Sequence, residues 1–332
     1  MTDIAGKTVL VTGATGFLGG QMARRLAEQG ANVRALARKI ERAGYIKDMP
    51  GIEIVLGDVT EPRTLEAAAA GCDLVLHVAA LIQGGWSEQD RVNVQGTRHV
   101  MQAAAQAGVS RVVYISSVAV YGYRYPHDVT EDHPPQPAQE VYARTKLGGE
   151  WAARELSGKL GVEYSIVRPA YIYGPRSGAW TGQIFGLAKR DPVLFVGAGG
   201  GAAHPVHVDD VVGLALTAAV HPAAAGEIFN AAPDLAPTWR EWLEAYRALT
   251  GKPMRWIGVP PGLLKPAAHI AARLIPGGGL ASSLPDLLDY SQRYFSYKMT
   301  KARDLLGWEN RVTLADGVAG TADWLRERGL LG

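Results

Sequence analysis

Short uninterrupted apolar runs alternate with segments of helical period through the first half of the chain. Thr8–Thr12 (TVLVT) predicts a buried strand, and Phe17–Gln29 a helix ended by Gly30. Val33–Ala37 predicts a second strand, Glu53–Leu56 a third and Leu74–Val78 a fourth, with an Ala-rich helix, Arg63–Ala70, closed by Gly71 between the last two. Glu88–Ala107 reads as a helix, Arg111–Ser116 as a fifth strand, Gln139–Leu156 as a long helix and Tyr164–Arg168 as a sixth strand. Continuous, largely apolar strands separated by helices imply a parallel sheet covered on both faces. The βαβ rhythm and right-handed crossovers then make an α/β, doubly wound sheet of Rossmann type the expected fold.

After Pro169 the rhythm fades. Tyr171–Gly201 is rich in Gly and aromatics, with one short helix expected around Gly182–Lys189. Val206–Asn230 reads as a return to the sheet, a strand end plus helix (VHVDDVVGLALTAAV) followed by a short strand (EIFNAA). From Pro237 onward helices are expected, interrupted at the Pro- and Gly-marked stretch Val259–Gly279, and the last of them, Leu314–Arg328, is amphipathic. The expected division is a dinucleotide-type domain over 1–175 with the returning segment 206–230, and a smaller, partly interleaved substrate lobe over 176–205 and 231–332.

Composition narrows the function classes. In 332 residues, 47% hydrophobic and 20% charged side chains are ordinary globular proportions, which excludes a disordered chain. A formal net charge of +2 gives no field that would gather nucleic acid. The single cysteine, Cys72, allows no intrachain disulfide and no cysteine-based zinc site, so a reducing, cytoplasmic setting is expected. The start, MTDIAGKTVLVTG, lacks the basic and long apolar regions of a signal peptide, and no run approaches the roughly 18 apolar residues of a membrane span, so no membrane partner is expected. His127 and His133 flank a Pro-rich loop expected to line the substrate entrance, and no metal site is expected.

The first strand runs into Gly13-Ala14-Thr15-Gly16-Phe17-Leu18-Gly19, a G-x-x-G-x-x-G string at a strand–turn–helix junction. Glycines there permit a tight turn and let backbone N–H groups approach a pyrophosphate at the helix N-terminus. An NAD site usually carries Asp or Glu about 20 residues further on, at the end of the second strand. Here that strand ends Leu36-Ala37-Arg38-Lys39. An alanine followed by cations suits a 2′-phosphate, which a guanidinium attracts and a carboxylate repels. NADP(H) is therefore expected to be preferred over NAD(H), with Arg38 the main reader and Arg34 or Lys39 as helpers. Asp58, followed by Val59 at the end of the third strand, is placed to accept from the adenine amino group. The turn His77-Val78-Ala79-Ala80 is small enough for a cofactor to lie against its backbone. His77 itself reads as a packed strand-end histidine.

The fifth strand ends Ser116-Ser117-Val118-Ala119-Val120-Tyr121-Gly122, and 25 residues after Ser117 comes Tyr142-Ala143-Arg144-Thr145-Lys146. Tyrosine and lysine four apart share a helix face. An ammonium near the phenol favours the phenolate and brings a pKa of about 10 toward working pH. Such a tyrosine can exchange a proton with an alcohol or carbonyl oxygen while a nicotinamide exchanges the hydride, and a serine hydroxyl can hold the same oxygen.

With these motifs in place the chain resembles an extended short-chain dehydrogenase/reductase of the NAD-dependent epimerase/dehydratase superfamily. The matching segments are TGATGFLG (Thr12–Gly19), Asp58 in GDV, HVAA, NVQGT from Asn93, YISSVAVYG, YARTK, RPAYIYGP and HVDD (His207–Asp210), in family order, with KARDLLGW (Lys301–Trp308) in the tail. The resemblance implies that Ser117 orients substrate, that Tyr142 is the acid/base, that Lys146 also binds the nicotinamide ribose and that Asn93 supports the active-site geometry. It implies a pyrophosphate turn at Gly13, Gly16 and Gly19, and a chain passing the nicotinamide carboxamide at Pro169 and Tyr171. It also implies homodimers through the helices Glu88–Ala107 and Gln139–Leu156.

Departures narrow the class. The family's dehydratases carry an Asp-Glu pair after the serine motif, and its decarboxylating members a Glu; here Val118 and Ala119 stand there. The cysteine–histidine epimerase/reductases are excluded by the position of Cys72. Sugar-nucleotide 4-epimerases usually bear an Asn shortly after the sixth strand and an Arg before the HVDD-like segment; the chain has Tyr171 and Gly201-Ala202-Ala203-His204-Pro205, with Arg176, Arg190 or Arg293 as substitutes for the missing cation. A carbonyl reductase or alcohol dehydrogenase acting on a less charged small molecule is the preferred expectation. It is supported by the aromatic segment Tyr290–Tyr297 and by similarity to the branch of dihydroflavonol-type and 3β-hydroxysteroid-type enzymes. The epimerase with tightly bound NAD stays as the alternative. Family members that act as sensors or scaffolds typically lose Tyr or Lys, whereas both are present. His204 is the histidine expected nearest the substrate.

Overall fold

The computed structural model describes residues 4–125, 127–274 and 280–332. Its strands are β1 (Thr8–Thr12), β2 (Asn32–Ala37), β3 (Ile52–Leu56), β4 (Leu74–His77), β5 (Arg111–Ile115), β6 (Glu163–Pro169), β7 (Tyr171–Tyr173), β8 (Val193–Val196), β9 (Pro205–His207), β10 (Ile228–Ala231) and β11 (Trp256–Val259). Seven of them form one parallel sheet in the order β10-β6-β5-β4-β1-β2-β3. This is the doubly wound α/β arrangement expected from the apolar runs.

Alternate residues of each strand face opposite layers, so the central strands are apolar on both sides, while edge strand β3 stays half-exposed. Val9 and Val11 pack with α1 (Phe17–Glu28), while Leu10 between them packs with α2 (Pro62–Ala69) on the other face. Next along the chain come α3 (Trp86–Gln89), a π-helical turn (Asp90–Gln95), α4 (Gly96–Gln106) and α5 (Val141–Leu160). Helices α4 and α5 join α2 on the second face; α7 (Val208–Val220), which follows the short α6 (Ile184–Ala188), joins α1 on the first. The single helix expected over Glu88–Ala107 is thus broken by a π turn, the insertion of one residue that π-helical geometry allows.

The second half differs more from expectation. Strand β10 does return to the sheet beside β6, but β9 pairs with β7 in a separate two-stranded sheet. After β6 the chain leaves the main sheet and the backbone N–H of Tyr171 donates to the His204 carbonyl instead. Strands β8 and β11 pair in parallel, each only four residues long and sixty residues apart, too short to show a period. The remaining helices are α8 (Trp239–Ala248), α9 (Pro261–Leu274), α10 (Leu280–Tyr290), α11 (Thr300–Leu306), α12 (Leu314–Ala319) and α13 (Ala322–Glu327). Helix α9 runs through Pro266, and Leu314–Arg328 is two helices parted at Gly320-Thr321. A separate core of Phe185, Val193, Phe195, Trp242, Tyr246 and Leu325 unites these C-terminal elements. A fourth cluster, with Val120, Tyr121, Leu147, Phe295 and Tyr297, bridges the loop after β5 to the C-terminal half.

Candidate active site

The turn after β1 is held open by main-chain geometry. Gly13 has φ +69°, and a Cβ there would come within 2.7 Å of the Ala79 nitrogen, so the loops after β1 and β4 touch as only glycine allows. A Cβ on Gly19 would overlap the Gly13 carbonyl. Gly16, exposed and extended, starts α1 with no side-chain cap and no acidic residue in the first turn, leaving its first N–H groups and positive dipole end open. Thr15 is exposed beside it, Phe17 is half-buried and Leu18 packs into the core. A cradle of this shape fits a dinucleotide pyrophosphate.

His77 closes the floor of this cradle. Thr97 Oγ1 donates to the Asn93 carbonyl, so the imidazole Nε2–H donates to Thr97 (3.0 Å) and Nδ1 accepts from Thr12 Oγ1 (2.7 Å). Burial and the nearby Lys146 push its pKa down to about 3, which keeps the ring neutral. Thr12 in turn accepts from the N–H groups of Val78 and Ala79, both at 3.2 Å, fixing the turn that continues through Ala80. The Asp58 carboxylate accepts from the Thr60 N–H and hydroxyl through Oδ1, with Val59 buried beside it.

At the end of β2, Arg38 and Lys39 are exposed. Arg34 is not available as their helper: its guanidinium donates to the carbonyls of Ala68 (3.2 Å) and Ala70 at the end of α2 and faces Glu53. It sits inside the strand, where its neighbours are the helix carbonyls.

Ser117, Tyr142 and Lys146 come together at the carboxyl end of β5. Ser117 caps the 3₁₀ turn Val118–Tyr121, accepting from the Ala119 N–H at 3.2 Å, and its side chain lies beside the Tyr142 phenol. Burial raises that phenol to about 12, with Ser117 pulling the other way. Lys146 is 1% exposed; its Nζ donates to the Ile115 carbonyl at 2.5 Å and lies 4.2 Å from the centre of the Tyr114 ring. Burial lowers this amine to about 7, against the pull of Glu150. The expectation that Lys146 lowers Tyr142 is therefore corrected: the buried amine turns to the strand carbonyl, and the phenol stays in its acid form. Asn93, in the π turn, binds both main-chain groups of Leu81 (2.7 and 2.9 Å) and donates to Thr145 Oγ1 (3.0 Å), joining the loop after β4 to α5.

A profile of the NAD dependent epimerase/dehydratase family matches residues 9–232. The chain belongs to that family. Among its relatives, a ceramide reductase of Caulobacter vibrioides is 31% identical over 99% of this chain and 98% of its own. Sterol demethylase protein B of Methylococcus capsulatus is 31% identical over 98% and 100%. A UDP-glucose 4-epimerase of Mycolicibacterium smegmatis is 32% identical over 96% and 98%. A solved short-chain dehydrogenase/reductase superfamily protein from Agrobacterium tumefaciens, with bound NAD, superposes with TM-score 0.75 at 25% identity, covering 97% of this chain and 98% of that one. This family member is accordingly an NAD-dependent enzyme of the extended short-chain dehydrogenase/reductase type, an oxidoreductase or an epimerase.

Beside this epimerase/dehydratase-family site, the loop after β5 and the C-terminal elements pack a largely buried aromatic cluster. Tyr123, whose hydroxyl donates to Glu140 at the start of α5 (2.6 Å), meets Tyr290 edge-on with centroids 5.2 Å apart; the Tyr290 and Tyr171 hydroxyls lie 3.5 Å apart. The Tyr171 ring stacks on Trp180 at 4.2 Å, whereas Pro169 is buried at the end of β6. His204 does not face a cleft: it is fully buried, donating to the Phe295 carbonyl (3.0 Å) and accepting from Tyr290, with burial lowering it to about 4. Arg293 is engaged by the carbonyls of Tyr123 and Tyr125, Arg176 stacks on Tyr45 at 3.9 Å, and Arg190 is exposed. The His127 and His133 Nε2 atoms stand 3.4 Å apart near the surface, and no group of three or more metal-ligating side chains occurs among the described residues. No helix among them is long and apolar enough to cross a membrane. Sequence reasoning passed over Ser116, Thr145, Glu150 and Arg168, all buried behind the site; Glu150 carried a signal, its place four residues after Lys146.

Proposed function

We propose that this enzyme is a carbonyl reductase or alcohol dehydrogenase that uses NADP(H) in preference to NAD(H) on an apolar ketone or its alcohol. The observation that carries the reading is the placing of Ser117 beside the Tyr142 phenol at the carboxyl end of β5, where burial raises the pKa of the phenol. A phenol in its acid form donates to a carbonyl oxygen as that oxygen gains charge, and Ser117 orients the same oxygen. Lys146 would hold the nicotinamide ribose by turning from the Ile115 carbonyl, and Asn93 keeps the Leu81 loop and α5 in register.

The cofactor would be held by the N–H groups of Gly13, Thr15, Gly16, Phe17, Leu18 and Gly19, by Asp58 and Val59 around adenine, and by Ala79, Ala80, Pro169 and the Tyr171 main chain. Arg38 would read the 2′-phosphate. When bound, the nicotinamide supplies or accepts the hydride. Two relatives are named for ceramide and sterol chemistry, in line with an apolar substrate. The relative named as a UDP-glucose 4-epimerase favours the second reading, but a diphosphate of about two charges calls for a free bidentate cation. Arg293 is engaged elsewhere, Arg176 stacks on Tyr45, and Arg190, exposed just after α6, makes no hydrogen bond to Ser117 or Tyr142. The division into a dinucleotide domain (1–175 and 206–230) and a substrate lobe (176–205 and 231–332) belongs to the same proposal, as does a homodimer through α4 and α5.

Incubation with long-chain 2-ketones and a 3-ketosteroid, and separately with UDP-glucose, tests it through the absorbance of reduced nicotinamide. Stoichiometric loss of NADPH with a ketone is expected. Conversion of UDP-glucose to its 4-epimer with no net cofactor change would replace the proposal with the epimerase.

A further inference from the structure

Three titratable side chains follow one another on one face of α5 at four-residue spacing, Tyr142, Lys146 and Glu150. The third has no role in the site as described. Glu150 is 1% exposed and its carboxylate accepts from Ser116 Oγ at 2.5 Å and from Arg168 Nε and Nη2 at 2.9 and 2.6 Å. Arg168, 2% exposed, donates its other nitrogen to the Tyr121 hydroxyl (2.7 Å), which donates to Asn230 Oδ1 (2.9 Å). A buried ion pair of this kind is no better for stability than a well-packed apolar pair of the same volume, so stability alone gives no reason for the charges.

Their placement does. Ser116 lies between Ile115, whose carbonyl receives the Lys146 amine, and Ser117, whose side chain lies beside the Tyr142 phenol. The carboxylate that fixes this strand end lies one helical turn from the lysine. We propose that Glu150, clamped by Arg168, is a positioning residue of the reaction: its charge balances the Lys146 ammonium, and its bond to Ser116 sets the β5 end on which Lys146 and Tyr142 both rest. The inference rests on the Tyr142–Lys146 reading above.

Lys146 is faced by Glu150 from its own helix, by Tyr114 from β5 and by His77 from β4. Glu150 is faced by Ser116 and Tyr114 from β5 and by Arg168 from β6, with Tyr121, and Glu131 beyond it, on the far side of the guanidinium. Of these, Glu150 alone opposes the burial that drives the amine down to about 7.

The test is NMR of the holoenzyme with saturating NAD and isotope-labelled lysine, following the Lys146 Cε signal, assigned with Lys146→Met, through pH. In Glu150→Gln the signal is expected to titrate about one unit lower than in the parent protein, and in Glu150→Asp by a smaller shift. Identical titration in Glu150→Gln and the parent, or an Asp shift as large as the Gln shift, overturns the inference. If Glu150→Gln does not fold, Glu150→Gln/Arg168→Met removes both members of the buried ion pair and leaves no orphaned guanidinium, and titration of Lys146 below the parent value is still expected; equality overturns. Loss of turnover in Tyr142→Phe alongside an unmoved Lys146 signal sinks this inference alone. Retained turnover in Tyr142→Phe sinks the parent reading instead.

Discussion

At the scale of single residues, two histidines are neutral packing elements: His77, as its place at a strand end suggests, and His204, which the sequence places nearest the substrate. His77 and His204 have pKa values lowered to about 3 and about 4 against about 6.5 when unfolded, because burial disfavours their charged forms. Between those limits the unfolded chain binds protons that the folded one does not, so stability rises with pH through this window and is lost as pH falls below about 6.5. Each ring is expected to contribute about 1.4 kcal/mol per pH unit there. Urea unfolding from pH 7 to 5 should show this slope, and His77→Gln should flatten it while lowering stability at pH 7; a slope unchanged in His77→Gln would refute the assignment. Tyr142 belongs to the other class. Tyr142→Phe is expected to lower turnover by roughly 10²–10⁴, the usual share of positioned acid–base catalysis, with cofactor affinity kept. Near-normal turnover, measured with whichever ketone the nicotinamide assay identifies, would assign the proton to another group.

At the scale of elements, the cradle after β1 depends on glycine geometry that a single methyl disturbs. In Gly13→Ala the φ of +69° and the approach to the Ala79 nitrogen both oppose the new Cβ, whereas Gly186 in α6 has nothing within 4 Å. A strain of about 1–2 kcal/mol at a left-handed position corresponds to about tenfold weaker dinucleotide binding. Titration calorimetry should show that loss for Gly13→Ala and none for Gly186→Ala. This cradle and the first six strands were legible in the sequence because each strand is a short, largely apolar run and the turn after β1 is marked by glycine. The pairings β7–β9 and β8–β11 were not, since three- and four-residue strands carry no measurable period and their partners lie 34 and more than 60 residues away. The Tyr142–Lys146 spacing was legible, but the direction of the Lys146 amine was not. That direction depends on the Ile115 carbonyl, a main-chain atom that no residue pattern encodes.

At the scale of the whole molecule, the two halves are tied at their far ends by side chains from the HVDD segment and the tail. Asp210 at the start of α7 accepts from the N–H groups of Arg311 (2.9 Å) and Val312 (3.3 Å), and Lys301 pairs with Glu227 before β10. The opposite flank of the sheet is different. Helix α5 turns Arg144, Trp151, Arg154 and Glu155 outward, and Trp151 is 60% exposed, a large apolar surface with no partner ring among the described residues. Nearby, Trp86 is 47% exposed under the Arg144 guanidinium, and Arg98 of α4 bonds Glu155 at 2.6 Å, bracing α4 against α5 as one rigid face. An aromatic at the centre of such a face is the kind of side chain that dominates subunit contacts. If α4 and α5 form the homodimer contact, Trp151→Glu buries a charge at its centre and should give a monomer by light scattering at concentrations where the parent is a dimer. Dinucleotide affinity should be unchanged, because no residue of the β1 cradle lies on this face. A Trp151→Glu protein that remains dimeric would move the interface elsewhere, and a parent protein that is monomeric throughout would leave Trp151 as surface.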